Sequence, residues 1–198
     1  MDTASLPEHQ PLTVMKRLLP ALKNAKNTWL QEYSQTVEAM IRGRELTGKM
    51  MELEGILPDG SKFNIKDFHG KPVVVCFYRA FQSPPLPPDM ERDSKTPLQF
   101  ALEKLKSYHA DYAEKGLEII VYFSGREHED FPEPDETMKN WKISFAEDSL
   151  AEGMKNYWDY YGLRATPTWL LIDREGNVME TPKTDGWGEV LEALMKKP

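Results

Sequence analysis

The sequence predicts an α/β chain in which helices flank a central β-sheet, and three stretches carry that prediction. Residues 73–78, Val-Val-Val-Cys-Phe-Tyr, are apolar without a break, as expected of a parallel strand buried on both faces. Residues 117–123 read as a second central strand, apolar without a break from Ile119 to Phe123. Between them Leu98, Ala101, Leu102, Leu105, Tyr108 and Tyr112 recur at helical spacing and stop at Gly116, a residue suited to the position just past a helix end. Further on, residues 169–173 read as a strand, 174–177 (Arg-Glu-Gly-Asn) as a tight turn and 178–181 as the return strand.

The remaining elements follow in chain order. Residues 11–47 read as helical: Leu22, Ala25, Trp29, Tyr33, Val37, Met40 and Ile41 line one face, and Pro20 suits the first turn of the longer helix. Gly43 and Gly48 fit a helix end and a hinge. Two short strands around Pro58-Asp59-Gly60 make a hairpin spanning residues 50–65. Five prolines, Pro84, Pro85, Pro87, Pro88 and Pro97, keep a helix from following the 73–78 strand directly. Residues 149–161 predict an aromatic-rich helix with Met154, Tyr157, Trp158 and Tyr161 packed inward, and residues 188–197 a terminal helix. The expected division is an N-terminal helical extension, 1–48, and a domain from 49 to 198.

Composition narrows the function classes. The 198 residues carry a formal charge of −7 with a pI near 5.2, and no basic stripe marks a nucleic-acid surface. No apolar run approaches the roughly 20 residues of a membrane span. The first residues lack a basic-then-apolar leader pattern, which leaves the compartment open. The acidic segment 125–136 and the scattered His9, His69, His109 and His128 match no ligand spacing, so no metal or cofactor is expected.

Certain residues carry a resemblance to a known family. Gly70-Lys71, the strand 73–78 and Arg79-Ala80-Phe81-Gln82-Ser83-Pro84-Pro85 form its first half; residues 162–173, with Ala165-Thr166-Pro167-Thr168 at their centre, form its second. Together they resemble the active-site halves of TlpA/ResA-like proteins in the AhpC/TSA and thioredoxin superfamily. The resemblance runs from about residue 50 to residue 182. It implies a thioredoxin-like fold with a central mixed sheet, an N-terminal β-hairpin and, here, an added N-terminal helical arm. It also implies that Thr166–Pro167 is cis. Members of the family are often exported or tethered to the membrane face.

In the family the first strand leads to Trp-Cys-x-Pro-Cys. Laid on this chain, Phe81 matches the Trp and Pro84 the Pro, while the two cysteines fall on Gln82 and Pro85. Thiol–disulfide exchange needs an attacking thiolate and a resolving thiol, and neither an amide nor a pyrrolidine supplies one. The sole cysteine, Cys76, sits mid-strand and reads as a small core hydrophobe, and residues 79–88 lack a peroxiredoxin-type segment. No catalytic residue is assigned. The expectation is a redox-inactive protein that binds a protein or extended peptide at Phe81, Gln82, Ser83, Thr166 and Pro167, where the backbone beside the proline pairs with substrate in active relatives. Two alternatives stay open: an oxidoreductase or peroxidase-like enzyme using Ser83 or Cys76, and a structural protein that assembles, with itself included, through the N-terminal helix.

Overall fold

A computed structural model describes residues 10–80, 96–125, 131–179 and 186–196. The chain forms two compact units: Met1–Leu46 with Tyr157–Arg164, and Thr47–Asn156 with Ala165–Pro198. No described helix is long and apolar enough to cross a membrane.

The larger unit is built on a four-stranded mixed sheet whose strands lie in the order Lys142–Phe145, Glu118–Ser124, Val73–Arg79, Thr168–Ile172. Strand β3 (Val73–Arg79) lies parallel to β4 (Glu118–Ser124) and antiparallel to β6 (Thr168–Ile172). Val73 through Tyr78 are all buried, as an unbroken apolar run in a central strand requires. Val74, Cys76 and Tyr78 join a core with Leu98, Leu102 and Leu105 of α3 (Pro97–Tyr112) and Leu191 and Leu194 of α6 (Trp187–Met195). Alternation sends Val75 and Phe77 to the opposite face, where Phe77 meets Tyr122 at 5.5 Å between ring centroids. Helix α3 starts on a reciprocal cap: Thr96 accepts from the Gln99 N–H, Gln99 accepts from the Thr96 N–H, and Pro97 occupies the first turn.

The hairpin forms as expected, with β1 (Glu54–Ile56) antiparallel to β2 (Lys62–Asn64) and Gly60 at φ +81° in the turn. The turn after β6 is closed by Asp173, whose carboxylate accepts from the Asn177 N–H at 2.7 Å. The return strand is reduced to bridges at Val178 and a Met179 N–H to Leu171 C=O bond of 2.8 Å; residues 180 and 181 lie outside the described residues.

Three expectations need correction. Strand β5 (Lys142–Phe145), parallel to β4, was not expected, because Lys-Ile-Ser-Phe is too short and too polar to stand out as a strand. Its Ser144 is nevertheless fully buried, meeting the Ser149 hydroxyl at 3.3 Å. The single helix expected over 149–161 is two pieces, α4 (Ala146–Ala151) and α5 (Tyr157–Tyr160), interrupted where Gly153 turns to φ +77°. Tyr157, Trp158 and Tyr161 are buried as expected.

The third correction concerns the smaller unit. Its helices are α1 (Gln10–Lys23) and α2 (Thr28–Arg44), so Pro20 lies inside α1 and does not open the longer helix. The break comes at Asn27, whose side chain accepts from the Trp29 and Leu30 N–H groups and starts α2 as an N-cap. Val37 and Ile41 are buried, whereas Trp29 and Tyr33, expected on the same covered stripe, are 64% and 43% exposed. Gly43 does not end the helix: a Cβ there would stand 2.1 Å from the Tyr161 carbonyl oxygen, so glycine is what allows α2 to approach that segment.

Candidate functional site

The end of the sheet where β3 and β4 finish is built by the strands themselves. Arg79, the last residue of β3, pairs with Ser124, the last of β4. The next peptide extends the ladder, the Ala80 N–H donating to the Ser124 carbonyl at 2.8 Å. On the other side of β3 the antiparallel pairing with β6 stops at Phe77 and Thr168. Beyond it the chain turns at Thr166–Pro167, which is cis. There the Thr166 hydroxyl accepts from the Arg79 N–H at 2.9 Å, so a side chain continues the ladder where a backbone group no longer can. Thr168 steadies the turn by donating its hydroxyl to the Ala165 carbonyl at 2.5 Å.

This arrangement leaves one backbone edge unused. Thr166 and Pro167 are half-buried and Ala165 is exposed. No hydrogen bond joins the Thr166 N–H or C=O to another described residue. An acid stands at the far side of the same sheet end, where Glu147 of α4 accepts from the Ser124 hydroxyl at 3.3 Å. Two cavities of this unit lined by described residues lie elsewhere. One, of about 40 Å³ and mostly apolar, lies among Met51, Phe68, Val73 and Ile172; a polar groove of about 410 Å³ is lined by His109, Glu118, Lys139 and Lys142. Among the described residues the candidate site is an edge with hydrogen-bonding groups.

Of the residues expected at the site, the structure places Thr166 and Pro167 at the end of β3. Phe81, Gln82, Ser83 and Pro85 lie outside the described residues. Sequence reasoning missed Arg79, Ser124 and Glu147. The first two share a signal, since each is the polar residue that ends a buried apolar strand, the position where open α/β sheets present their sites. Glu147 had none.

Cys76 is 1% exposed, and burial alone pushes its thiol from 9.0 up to about 12. A thiol held there stays protonated at neutral pH and is shielded from substrate, the reverse of what nucleophilic cysteines need. Part of the acidic segment is structural: Asp135 caps the turn Glu136–Met138 and pairs with Lys106 at 2.6 Å, a hydrogen bond that holds its carboxyl below the usual range. Among the described residues no cluster of His, Cys, Asp and Glu has the arrangement of a metal site.

A mixed sheet of this order, flanked by helices and ending in a cis-proline turn beside its central strand, defines a thioredoxin-fold protein. The thioredoxin domain of a thiol-disulfide oxidoreductase from Bacteroides vulgatus superposes with a TM-score of 0.50 at 20% identity, covering 75% of this chain and 97% of that one. A thioredoxin-like protein from the same organism gives 0.51 at 15% identity over 74% and 86%. No protein-family model matches. In sequence the chain is 29% identical over 177 residues to the thiol-disulfide oxidoreductase ResA of Bacillus cereus, with 86% of each chain covered. The chain has the thioredoxin fold and is similar in sequence to ResA-type thiol-disulfide oxidoreductases, and its sequence contains a single cysteine.

Proposed function

We propose that this chain is a redox-inactive member of the thioredoxin fold that binds a protein or peptide segment in extended form along the Thr166–Pro167 turn. The observation that carries the reading is the division of labour within Thr166: its hydroxyl is tied to the Arg79 N–H, while its own N–H and C=O are bonded to no other described residue. An extended segment pairs with such an edge through main-chain hydrogen bonds and needs no sulfur. The loss of dithiol chemistry rests on the single cysteine, buried in β3 with a raised pKa. Phe81, Gln82 and Ser83 are proposed to complete the surface, on the strength of the sequence resemblance.

Two measurements test this. In a dithiothreitol-coupled insulin reduction assay, the full chain and Cys76→Ser should both stay at the buffer rate; turnover typical of thioredoxins refutes redox inactivity. Linear peptides selected from a random displayed library should shift the amide resonances of Thr166, Thr168 and Arg79, and Ala165→Trp, a bulky change at an exposed position, should weaken them at least tenfold. Selected peptides that perturb other parts of the chain, or that ignore Ala165→Trp, would move the binding function away from this turn.

A further inference from the structure

The smaller unit carries a surface that the reading above does not use. Between Glu8 and Glu32 there is no acidic residue, and the charges there are Lys16, Arg17, Lys23 and Lys26, a local +4 in a chain of net −7. The same stretch exposes apolar side chains. Of the seven large hydrophobic residues left exposed among the described ones, Val14, Leu18 and Trp29 fall here, at 51%, 52% and 64%, and Tyr33, at 43%, follows just past the exposed Glu32. Each helix contributes a pair one turn apart, and Trp29 stacks on Tyr33 with ring centroids 5.4 Å apart and planes 7° from parallel.

The helix geometry explains how α1 comes to have a second apolar face. Leu12, Met15, Leu19 and Leu22 are half-buried, which accounts for one stripe. At 100° per residue Val14, Leu18 and Ala21 lie within about 60° of one another on the adjoining arc, with Arg17 at its flank. Lys16 and Lys23 are engaged by Glu45 and Glu38 in exposed pairs of the kind that contribute little. Arg17 and Lys26 have no ion-pair partner among the described residues. Helix α1 thus offers aliphatic groups flanked by the unpaired Arg17, and the start of α2 an aromatic pair that follows the unpaired Lys26 and has Glu32 as its one neighbouring acid.

We infer that this helical hairpin docks on the surface of an anionic lipid bilayer. A basic helix with an apolar face lies in the interface plane, with Lys and Arg drawn to acidic headgroups and Trp and Tyr seated at the boundary. The charge pattern argues against a second copy of this chain as the occupant. A two-fold contact brings a patch against itself, so Lys16, Arg17, Lys23 and Lys26 would meet a second basic set with Glu32 as the one added acid. An anionic bilayer satisfies both the apolar and the cationic groups at once.

The test is co-sedimentation of the full chain with vesicles of phosphatidylcholine alone and of equal parts phosphatidylcholine and phosphatidylglycerol. Binding is expected only to the anionic vesicles and should fall at high salt. The double variant Arg17→Gln with Lys26→Gln should lower the partition coefficient about 25-fold, a factor of about five for each charge near the surface. Leu18→Ser with Trp29→Ser should remove binding, with circular dichroism showing whether the helices persist; should they not, the Gln pair, which alters only exposed charges, decides alone. Absence of sedimentation, indifference to lipid charge, or unchanged binding by the Gln pair overturns the proposal. Retention on polyglutamate resin without vesicle binding assigns the face to an acidic polypeptide, and concentration-dependent doubling of the mass assigns it to a second copy.

Discussion

Alkylation of Cys76 should be at least a thousandfold slower in the folded chain than in the unfolded one. The side chain is 1% exposed in the middle of β3, opposite Val121 on one neighbouring strand and Trp169 on the other. Burial pushes its pKa from 9.0 to about 12. Only the thiolate reacts, so a rise of about three units cuts the reactive population about a thousandfold at any pH below both values, and the closed strand adds steric exclusion. The same shift has a signed effect on stability. Because the folded value lies above the unfolded one, the contribution is fully present below pH 9 and is lost as pH rises toward about 12, where the unfolded chain has released a proton that the folded chain keeps. The slope is about 1.4 kcal/mol per pH unit in that window. Iodoacetamide labelling near neutral pH, with and without guanidinium and read by intact mass, measures the first quantity. Urea unfolding of the wild type and Cys76→Ala across that window measures the second, since the difference between them cancels the other titrating groups. Native labelling within tenfold of the unfolded rate, or a difference that stays flat above pH 9, would refute the burial argument.

Other perturbations address single contacts. Thr96→Ala removes the hydroxyl that caps α3 and should cost about 1 kcal/mol in urea unfolding. Gly43→Ala drives a Cβ to within 2.1 Å of the Tyr161 carbonyl and should destabilise by more than about 2 kcal/mol; an unchanged melting temperature would show that α2 can shift at no cost. Deleting residues 1–48 is expected to leave a domain that still unfolds cooperatively, with lower solubility because Tyr157, Trp158 and Tyr161, grouped with the deleted helices, lose their cover; a non-cooperative transition by circular dichroism would make those helices part of one folding unit.

The strands β3 and β4 were legible because a strand buried on both faces must be apolar along its length, as 73–78 and 119–123 are, and β6 because its apolar run 169–172 is bounded by Asp173 and the turn that follows. Edge strand β5 was not legible, because Ser144 is buried through a hydrogen bond to Ser149, a partner that no local pattern announces. The N-terminal helices were misread at Pro20 for a related reason. A proline at a helix start and one near a helix end look alike in sequence, and Asn27, which does begin α2, acts through its side chain on Trp29 and Leu30. At the candidate site Thr166 and Pro167 were found from their string, whereas Arg79 contributes a main-chain N–H, which every residue but proline has and which only the fold can aim.

That contact separates two reasons why the turn is present. The Thr166 hydroxyl serves the fold: it takes the Arg79 N–H just beyond the last paired residues of β3 and β6. The Thr166 backbone serves recognition in the proposed function and takes no part in that bond. Thr166→Val keeps the size and β-branching while removing the acceptor, so it should cost about 1–2 kcal/mol for a half-buried N–H left without its partner. Peptide affinity measured well below the unfolding transition should change less than threefold, because the N–H and C=O that meet the peptide are still there. A tenfold loss of affinity at unchanged stability would reverse the assignment, making the hydroxyl the group that contacts the ligand and Arg79 only its neighbour.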